Sequence, residues 1–183
     1  MALGRWKKID SRVMFTNPWW SYLLDRVLLP SGKESEYHYV HTAGSVIILP
    51  MLPDGRLILV RQYRHLDARE SLEFPAGGMR DGDEPHAIAR KELIEETGRD
   101  GALEKVGFFN PCNGIIDEQA HVFIARDLTP SSRYRMDDTE EFEYEFCMPE
   151  EIDAKIRANE IYDGMTMAAW AMARSLVTGG AQA

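Results

Sequence analysis

Residues 91–98 read KELIEETG, and the fold of the chain is best inferred outward from this octet. Its three glutamates, Glu92, Glu95 and Glu96, are spaced i, i+3 and i+4, so a helix would place them within an arc of about 100° on one face. Like charges at this spacing destabilise an isolated helix by roughly a few tenths of a kcal/mol per pair. The octet therefore indicates either a solvated acidic face or a face against which a positive group lies.

The octet ends a helix whose two limits are marked in the sequence. Asp83 is predicted as the N-cap, Pro85 fits the first turn, and Gly98 fits the position that follows the last turn. We therefore predict a helix that runs to Thr97. Apart from Ile88, its apolar residues fall opposite the glutamates, and they are Ala87, Ala89, Leu93 and Ile94.

The composition of the chain excludes several classes of protein. Its 183 residues and 44% hydrophobic content suit one compact domain with an N-terminal extension. A net charge of −9 is unfavourable for binding nucleic acid, whose phosphates attract a basic surface. We see no apolar run of about 18 residues and no signal peptide, so no membrane partner is expected. The cysteines Cys112 and Cys147 are expected to be free thiols, which is typical of a cytoplasmic protein.

Strands are predicted on both sides of the helix, where β-branched and aromatic residues lie between turn-forming segments. They are Val13–Thr16, Tyr22–Leu29, Tyr37–Thr42, Glu104–Phe109, His121–Arg126 and Phe142–Cys147. Residues 45–63, with a turn at Pro53-Asp54-Gly55, are predicted to form a hairpin. Two more helices are predicted at Pro149–Ala158 and Asp163–Leu176, and the apolar residues of the second are interpreted as core. The pattern indicates a mixed α/β chain with helices outside the sheets.

A glycine-rich loop, Pro75-Ala76-Gly77-Gly78, precedes the acidic helix. Glycine lets the backbone turn tightly and approach a ligand closely. Mg²⁺ prefers oxygen ligands, typically one or two carboxylates together with waters and substrate phosphates. The glutamates and a loop carbonyl could therefore hold Mg²⁺ against a pyrophosphate. A metal-bound water of lowered pKa would then attack phosphorus.

The spacing of these residues resembles the Nudix box. That pattern is Gly, five residues, Glu, seven residues, Arg-Glu, an aliphatic, any residue, Glu-Glu, any residue, Gly and an aliphatic. This chain has Gly77, Asp83 and then Lys91-Glu92-Leu93-Ile94-Glu95-Glu96-Thr97-Gly98-Arg99 at the same spacing. The resemblance implies an α/β (α+β) fold, the Nudix α/β/α sandwich with a mixed sheet, plus an N-terminal antiparallel β extension. We expect the extension to span residues 1–42, the Nudix domain residues 43–178 and a tail residues 179–183. The extension is expected to take part in dimerisation.

The resemblance also implies a metal site with Mg²⁺, for which Mn²⁺ could substitute. The implied ligands are Ala76 through its carbonyl, Glu92, Glu95 and Glu96, and Glu96 is also a candidate catalytic residue. Three positions depart from the pattern: Asp83 replaces Glu, Lys91 replaces Arg, and Arg99 replaces an aliphatic residue. Lysine keeps the positive charge of arginine but loses its bidentate fork. These departures leave open a non-catalytic module that binds a nucleotide.

Outside the box, the layout resembles the ADP-ribose pyrophosphatase group, which hydrolyses ADP-ribose and related nucleoside diphosphate sugars. The resemblance rests on Gln62-Tyr63-Arg64, on Glu73-Phe74-Pro75-Ala76-Gly77, on the N-terminal extension and on Ile161-Tyr162-Asp163-Gly164. It implies cleavage of a pyrophosphate bond to a nucleoside monophosphate and a sugar phosphate. It also implies a homodimer that exchanges its N-terminal strands, with both subunits contributing to the substrate site. GDP-mannose and nucleoside triphosphates are alternative substrates.

Six residues are candidates for contacting the substrate, namely Trp19, Trp20, Arg64, Glu73, Asp117 and Glu118. The tryptophans would stack on the base or pack in the core or the dimer interface. Arg64 would hold phosphates or the base edge, or lie on the surface. Glu73 is predicted to form a salt bridge with Lys91 or Arg64.

Two acidic segments carry the remaining candidates. Asp117 and Glu118 would bind ribose hydroxyls or cap a turn. The acidic run 137–141 stands where the ADP-ribose group has its general base, so Glu140 or Glu141 is expected to orient or deprotonate the attacking water. An ordinary glutamate, with a pKa of about 4.3, is a weak base. Activation of the water by metal must therefore contribute much of the rate.

Overall fold

The chain forms two compact units in a computed structural model that describes residues 4–132 and 143–179. One unit is Met1–Ala43 together with Asn110–Gln119, and the other is Gly44–Phe109 together with Ala120–Ala183. Asn110–Gln119, which the sequence placed within the range 43–178, thus packs with the N-terminal residues. Glu140, Glu141, Phe142 and most of the tail lie outside the described residues.

The N-terminal unit contains an antiparallel sheet in the order β1-β2-β3. Its strands are β1 (Lys7–Thr16), β2 (Ser21–Leu28) and β3 (Glu34–His41). All ten residues of β1 are exposed, and within this sheet β1 pairs with β2 alone. The edge at β3 is covered, because Val40 forms a parallel bridge with Ile116 and its N–H donates to Ile115 O over 2.8 Å. β1 is therefore the open edge of this sheet.

The second unit contains a four-stranded sheet, β7-β4-β9-β8, and a three-stranded sheet, β10-β5-β6. The strands are β4 (Ser45–Pro50), β5 (Leu57–Arg64), β6 (Arg69–Glu73), β7 (Ala76–Gly78), β8 (Arg99–Phe109), β9 (Ala120–Pro130) and β10 (Glu143–Cys147). β4 and β9 are parallel, whereas their other pairings are antiparallel, so the larger sheet is mixed as expected. Every residue of β4 is buried, which suits a strand with neighbours on both sides and cover on both faces.

The hairpin predicted for residues 45–63 is wrong beyond its turn. Leu52 N donates to Arg56 O over 2.8 Å, and a single antiparallel bridge joins Met51 to Leu57. β4 and β5 then separate into different sheets, where each has partners on both of its sides. Two continuous apolar runs on either side of a turn do not specify which strands pair, because buried strands from other parts of the chain compete for the same edges.

The described residues of the second unit include three helices, which cover both faces of the larger sheet. They are α1 (Pro85–Thr97), α2 (Pro149–Arg157) and α3 (Gly164–Val177). Val46 and Ile48 share a buried cluster with residues of α1, whereas Ile47 and Leu49 share one with residues of α2 and α3. Successive residues of a strand point to opposite faces, so the sheet lies between two helical layers. The predicted α/β/α sandwich is confirmed.

The apolar residues of α3 belong to the core, as predicted. Trp170 is buried, and Met165, Met167 and Met172 pack against the same cluster. Within residues 4–132 and 143–179, no helix has the length and apolar character needed to cross a membrane.

The ends of α1 match the sequence prediction except at the N-cap. Pro85 occupies the first turn, and Gly98 has a φ of 67° and donates its N–H to Ile94 O. The N-cap is Glu84 rather than Asp83. The Asp83 carboxylate instead accepts from Arg80 N over 2.8 Å and closes the turn before the helix. The predicted cap is therefore wrong because a nearer backbone N–H takes the carboxylate.

Candidate active site

Strand β7 places the glycine-rich loop against the acidic helix. Pro75 O accepts from Ile48 N over 2.8 Å, and Ala76 is the next residue in the antiparallel ladder. Because hydrogen-bonded and non-hydrogen-bonded pairs alternate in such a ladder, the N–H and carbonyl of Ala76 point away from β4. Ala76 N indeed donates to Glu96 Oε2 over 3.3 Å. The peptide groups of Ala76 therefore face the helix that carries the glutamates.

Gly77 leaves the space that the Glu92 side chain fills. A Cβ atom at position 77 would lie 2.3 Å from Glu92 Cδ and 2.7 Å from Glu92 Oε1. No side chain beyond glycine fits there unless the carboxylate moves. The loop backbone and the Glu92 carboxylate are therefore in direct contact, and this contact is what requires glycine.

The three glutamates differ in their exposure along the helix face. Glu96 is buried with a relative exposure of 5%, and it lies among the buried residues Ala89, Leu93 and Ile94 of α1. The Glu92 side chain is 14% exposed, and the Glu95 side chain is 42% exposed. The acidic face therefore runs from the protein interior to solvent.

Lys91 supplies a positive group to this face. Its Nζ donates to Glu95 Oε2 over 2.7 Å and to Glu92 Oε1 over 3.1 Å. Partial burial lowers the pKa of Lys91, but the bonds to Glu95 and Glu92 more than offset this and raise that pKa above its ordinary value. Of the two alternatives for the acidic face, the structure therefore has the one in which a positive group lies against it. The Lys91 ammonium offsets the repulsion between two of the three carboxylates.

The donor set fits a hard divalent cation. Within residues 4–132 and 143–179, no three His, Cys, Asp or Glu side chains are already gathered around one point. Glu92 and Glu95 nevertheless flank a single cationic nitrogen, and the Ala76 carbonyl and Glu96 lie at the same loop. Carboxylate and carbonyl oxygens are the ligands that Mg²⁺ takes in proteins.

Glu73 and Arg64 form a second charged group beside the loop. Glu73 is 4% exposed. Arg64 Nε donates to Glu73 Oε1 over 2.8 Å, Arg64 Nη2 donates to Oε2, and Gln62 Nε2 donates to Oε2 over 3.3 Å. Of the two partners predicted for Glu73, the structure therefore has Arg64, while Lys91 binds within the helix face.

The charges around Arg64 place it near the acidic helix. The hydrogen bonds from Arg64 to Glu73 raise the pKa of the guanidinium, burial partly opposes this, and the charges of Asp163 and Glu96 raise it further. Arg64 is therefore bonded to Glu73 and feels the charges of Asp163 at the start of α3 and of Glu96 on α1. Its guanidinium is therefore protonated at neutral pH.

Thr166 is a residue that the sequence analysis missed. Its N–H donates to the Asp163 carboxylate over 2.7 Å at the start of α3, and its Oγ1 accepts from Phe74 N over 3.2 Å. This bond ties α3 to the backbone between Glu73 and the glycine-rich loop. The N-cap pattern Asp163-x-x-Thr166 was the available signal, because it turns the threonine inward at the first turn.

The two predicted tryptophans lie in the turn between β1 and β2. Asn17 Oδ1 accepts from Trp19 N over 2.8 Å and from Trp20 N over 2.9 Å. Trp20 packs against Phe15 with ring centroids 5.5 Å apart, whereas Trp19 is 79% exposed. Trp19 thus has a free ring surface, and Trp20 shares its ring with a neighbour.

Asp117 and Glu118 lie in the segment that packs with the N-terminal unit. Asp117 Oδ2 is 2.7 Å from His41 Nδ1, and Asp117 Oδ1 accepts from Thr42 N over 3.2 Å. Glu118 O accepts from Asn110 Nδ2 over 2.8 Å. These contacts suit the alternative in which Asp117 and Glu118 stabilise a turn, and their binding of the ribose hydroxyls stays a prediction.

The role of Glu140 or Glu141 as the general base also stays a prediction, because both residues lie outside the described residues.

Comparisons with known proteins identify the family of the chain. The NUDIX domain model matches residues 41–168 of the chain. ADP-ribose pyrophosphatase of Bacillus subtilis (strain 168) is 33% identical over 162 residues, which cover 87% of this chain and 88% of that protein. The methanol dehydrogenase activator of Bacillus methanolicus is 29% identical over 166 residues, or 89% of each chain.

A solved structure shows the same fold. The crystal structure of an ADP compounds hydrolase superposes with a TM-score of 0.85 at 18% sequence identity, and the match covers 100% of both chains. The likeness therefore extends over the whole chain and is not confined to the glycine-rich loop and α1.

Proposed function

We propose that this chain hydrolyses the pyrophosphate bond of ADP-ribose or a related nucleoside diphosphate sugar with Mg²⁺ as cofactor. The chain belongs to the Nudix family and is a Nudix pyrophosphatase, and the proposal proceeds from that assignment. The products are a nucleoside monophosphate and a sugar phosphate. The observation that carries this proposal is the contact between the Ala76-Gly77 backbone and the carboxylates of Glu92 and Glu96. This contact gathers hard oxygen donors beside a loop that a phosphate can approach.

Mg²⁺, or Mn²⁺ in its place, would be held by Glu92, Glu95, Glu96 and the Ala76 carbonyl. When bound, such a cation neutralises a pyrophosphate and lowers the pKa of a coordinated water. Ala76 N fixes the orientation of the Glu96 carboxylate, and burial keeps Glu96 out of bulk water. Lys91 keeps the Glu92 and Glu95 carboxylates close together.

Arg64 is proposed to attract the substrate phosphates. Its side chain is 48% exposed although its Nε and Nη2 bond to both oxygens of Glu73, which supports a role for it in meeting a ligand from solvent. Glu73 acts here by holding the arginine in place. Trp19 would stack on the base, and Trp20 would support that turn. Asp117 and Glu118 would bind the ribose, and Glu140 or Glu141 would orient or deprotonate the water.

The protein is also proposed to act as a homodimer that exchanges its N-terminal strands. β1 is an open edge strand whose apolar side chains are exposed, with Val13 at 63%, Met14 at 52% and Phe15 at 54%. Long exposed apolar edges are uncommon on stable monomers. Light scattering after size-exclusion chromatography tests this, and a monomeric mass at micromolar concentration would contradict it.

Two further expectations concern the setting of the reaction. The thiols of Cys112 and Cys147 are both free in the described chain, which supports a reducing compartment such as the cytoplasm. The net charge of −9 supports a small-molecule substrate and argues against a nucleic-acid partner.

A panel of substrates tests the proposed activity. ADP-ribose, other nucleoside diphosphate sugars including GDP-mannose, and ATP would each be incubated with Mg²⁺, and products would be read by chromatography. The expected result is a nucleoside monophosphate and a sugar phosphate from ADP-ribose, at the highest kcat/KM of the panel. Preference for GDP-mannose would change the assigned sugar nucleotide. Turnover of ATP alone would contradict the proposal.

One observation favours a second candidate, a non-catalytic module that binds a nucleotide. The Lys91 ammonium lies between Glu92 and Glu95, where it competes with a metal for their oxygens. This candidate predicts saturable binding of ADP-ribose in calorimetry without turnover, even at millimolar Mg²⁺ or Mn²⁺. The variant Lys91→Arg, which restores the residue of the box, would then also be inactive.

A further inference from the structure

The backbone of residues 74–76, which leads into the glycine-rich loop, is bonded to three different elements of the second unit. The three bonds run from Phe74 N to Thr166 Oγ1 of α3 (3.2 Å), from Ile48 N of β4 to Pro75 O (2.8 Å) and from Ala76 N to Glu96 Oε2 of α1 (3.3 Å). Glu96 is itself one of the proposed metal ligands, and the bond from Ile48 joins two backbone groups. Thr166 is thus a side chain that holds this segment from outside the proposed metal site.

Thr166 has a fixed place from which to accept this bond. It is 2% exposed, and its N–H donates over 2.7 Å to the Asp163 carboxylate, which caps α3. One turn further along the helix, the buried Trp170 packs against the Phe74 ring with centroids 6.2 Å apart. A hydroxyl and an aromatic ring of α3 therefore both contact Phe74, and they hold its backbone and its side chain together.

The segment between Phe74 and Ala76 transmits a displacement of Phe74. Pro75 fixes its own φ at about −65°, and its ring restricts the residue before it to extended conformations. Phe74 is 1% exposed, and a buried N–H that lacks an acceptor is costly. Without the Thr166 hydroxyl, Phe74 N must shift towards another acceptor, and the stiff proline carries this shift to the peptide groups of Ala76.

We propose that Thr166 is a positioning residue for the metal site, because its hydroxyl, through Phe74 N, sets the direction of the Ala76 carbonyl. The inference rests on the proposed function, in which that carbonyl is a ligand of Mg²⁺. Removal of a group that orients a metal ligand typically costs roughly 10–100-fold in metal affinity or activity. Since Thr166 acts through one ligand among four, the lower end of this range is expected.

Calorimetric titration of the full-length protein with Mn²⁺, in the absence of substrate, tests the inference. Thr166→Val keeps the shape of the side chain and loses the hydroxyl, so Mn²⁺ binding should weaken about tenfold. Thr166→Ser keeps the hydroxyl and should bind Mn²⁺ nearly as tightly as the wild type. Unchanged binding in Thr166→Val, or equal weakening in the two variants, would overturn the proposal.

Two further variants assign the effect to this bond and this site. Thr178→Val is the matched control, because the Thr178 hydroxyl donates to Arg174 O over 3.0 Å at the other end of α3. It should leave Mn²⁺ binding unchanged, and a loss equal to that of Thr166→Val would mean a general effect of helix stability and would overturn the proposal. Glu96→Gln should also weaken binding, since Mn²⁺ that binds it as tightly as the wild type must lie at another site, which would again overturn the proposal.

Turnover of ADP-ribose at rising Mg²⁺ separates this inference from the proposed function. Thr166→Val should need about tenfold more Mg²⁺ for its half-maximal rate, and its kcat should approach that of the wild type at saturating Mg²⁺. A rate that stays low at saturating Mg²⁺, with unchanged Mn²⁺ affinity, would mean a merely structural role. If the wild type binds Mn²⁺ but hydrolyses no substrate, the proposed function fails, and the Mn²⁺ titrations still decide the role of Thr166.

Another pair of variants decides the matter if circular dichroism shows that Thr166→Val does not fold. Thr166→Ala then replaces it, because alanine is a better helix former than threonine. Alanine and serine differ only in the hydroxyl, so the comparison isolates the bond to Phe74 N. Mn²⁺ binding about tenfold tighter in Thr166→Ser than in Thr166→Ala supports the proposal, and equal binding overturns it.

Discussion

Two groups of carboxylates in the second unit are neutralised in different ways. Glu73 is almost fully buried and receives bonds on both oxygens from Arg64 and a further bond from Gln62. On α1, by contrast, Glu92 and Glu95 share one ammonium, and their side chains are 14% and 42% exposed. The first group is a fixed pair that holds an arginine. The second group shares a single lysine and reaches solvent at Glu95, which suits carboxylates that are proposed to bind a cation as well.

The most severe test of this comparison is Glu96→Gln. The glutamine oxygen can still accept from Ala76 N, so the fold should persist, while the negative charge is lost. We expect kcat to fall about 1,000-fold, within the range found when a group that acts in the chemical step is removed. Turnover of ADP-ribose and thermal unfolding are the measurements. Glu104→Gln, on an exposed part of β8, is the control, and a retained kcat in Glu96→Gln would refute the role of this helix.

Removal of the arginine breaks the fixed pair. Arg64→Met leaves Glu73 buried without its charge partner, and we expect the free energy of unfolding to fall by about 3 kcal/mol. Urea denaturation measures it. The control is Arg90→Met, since Arg90 and Asp100 form a more exposed pair that should contribute less than about 1 kcal/mol. Equal losses in the two variants would show that burial does not distinguish the pairs.

A methyl group at position 77 tests from the glycine-rich loop whether the carboxylates on α1 must keep their positions. Gly77→Ala places Cβ against the Glu92 carboxylate, which must move, so we expect kcat to fall about tenfold with little loss of stability. Gly78→Ala is a close control, because a Cβ at position 78 has no heavy atom within 4 Å. Steady-state kinetics of the two variants would show whether the position of the Glu92 carboxylate matters. Equal activity would mean that it does not.

The smallest effect is expected at Lys91. Lys91→Met removes the charge between Glu92 and Glu95, and the free energy of unfolding should fall by about 0.5 kcal/mol at low salt. High salt should reduce this difference because the pair is partly exposed. Lys91→Arg should restore the stability. A loss as large as that of Arg64→Met would remove the distinction between the two carboxylate groups.

Elements with local signals could be predicted from the sequence. Pro85 and Gly98 mark the ends of α1 because their backbone preferences act within one turn. Asp83 also has a local signal, but its carboxylate can accept from several nearby N–H groups, and Arg80 N takes it. The hairpin prediction failed for a different reason, since the partners of β4 come from residues far along the chain.

The site could be predicted in part for the same reasons. The spacing of Glu92, Glu95 and Glu96 places them on one helix face, but the spacing does not reveal that Glu96 is buried. The choice between Lys91 and Arg64 as partner of Glu73 depends on strand register. β5 and β6 pair Val60 with Glu73, which puts Gln62 and Arg64 on the same face as that glutamate. Register of this kind is set by the tertiary fold.

The ammonium of Lys91 has a consequence for how the protein can be handled. The Lys91 ammonium offsets the repulsion between Glu92 and Glu95 without a dissolved cation, so we expect α1 to form in the metal-free protein. Purified protein should withstand a chelating wash and later be reloaded, so that occupancy of the site becomes a reversible variable separate from the integrity of the fold.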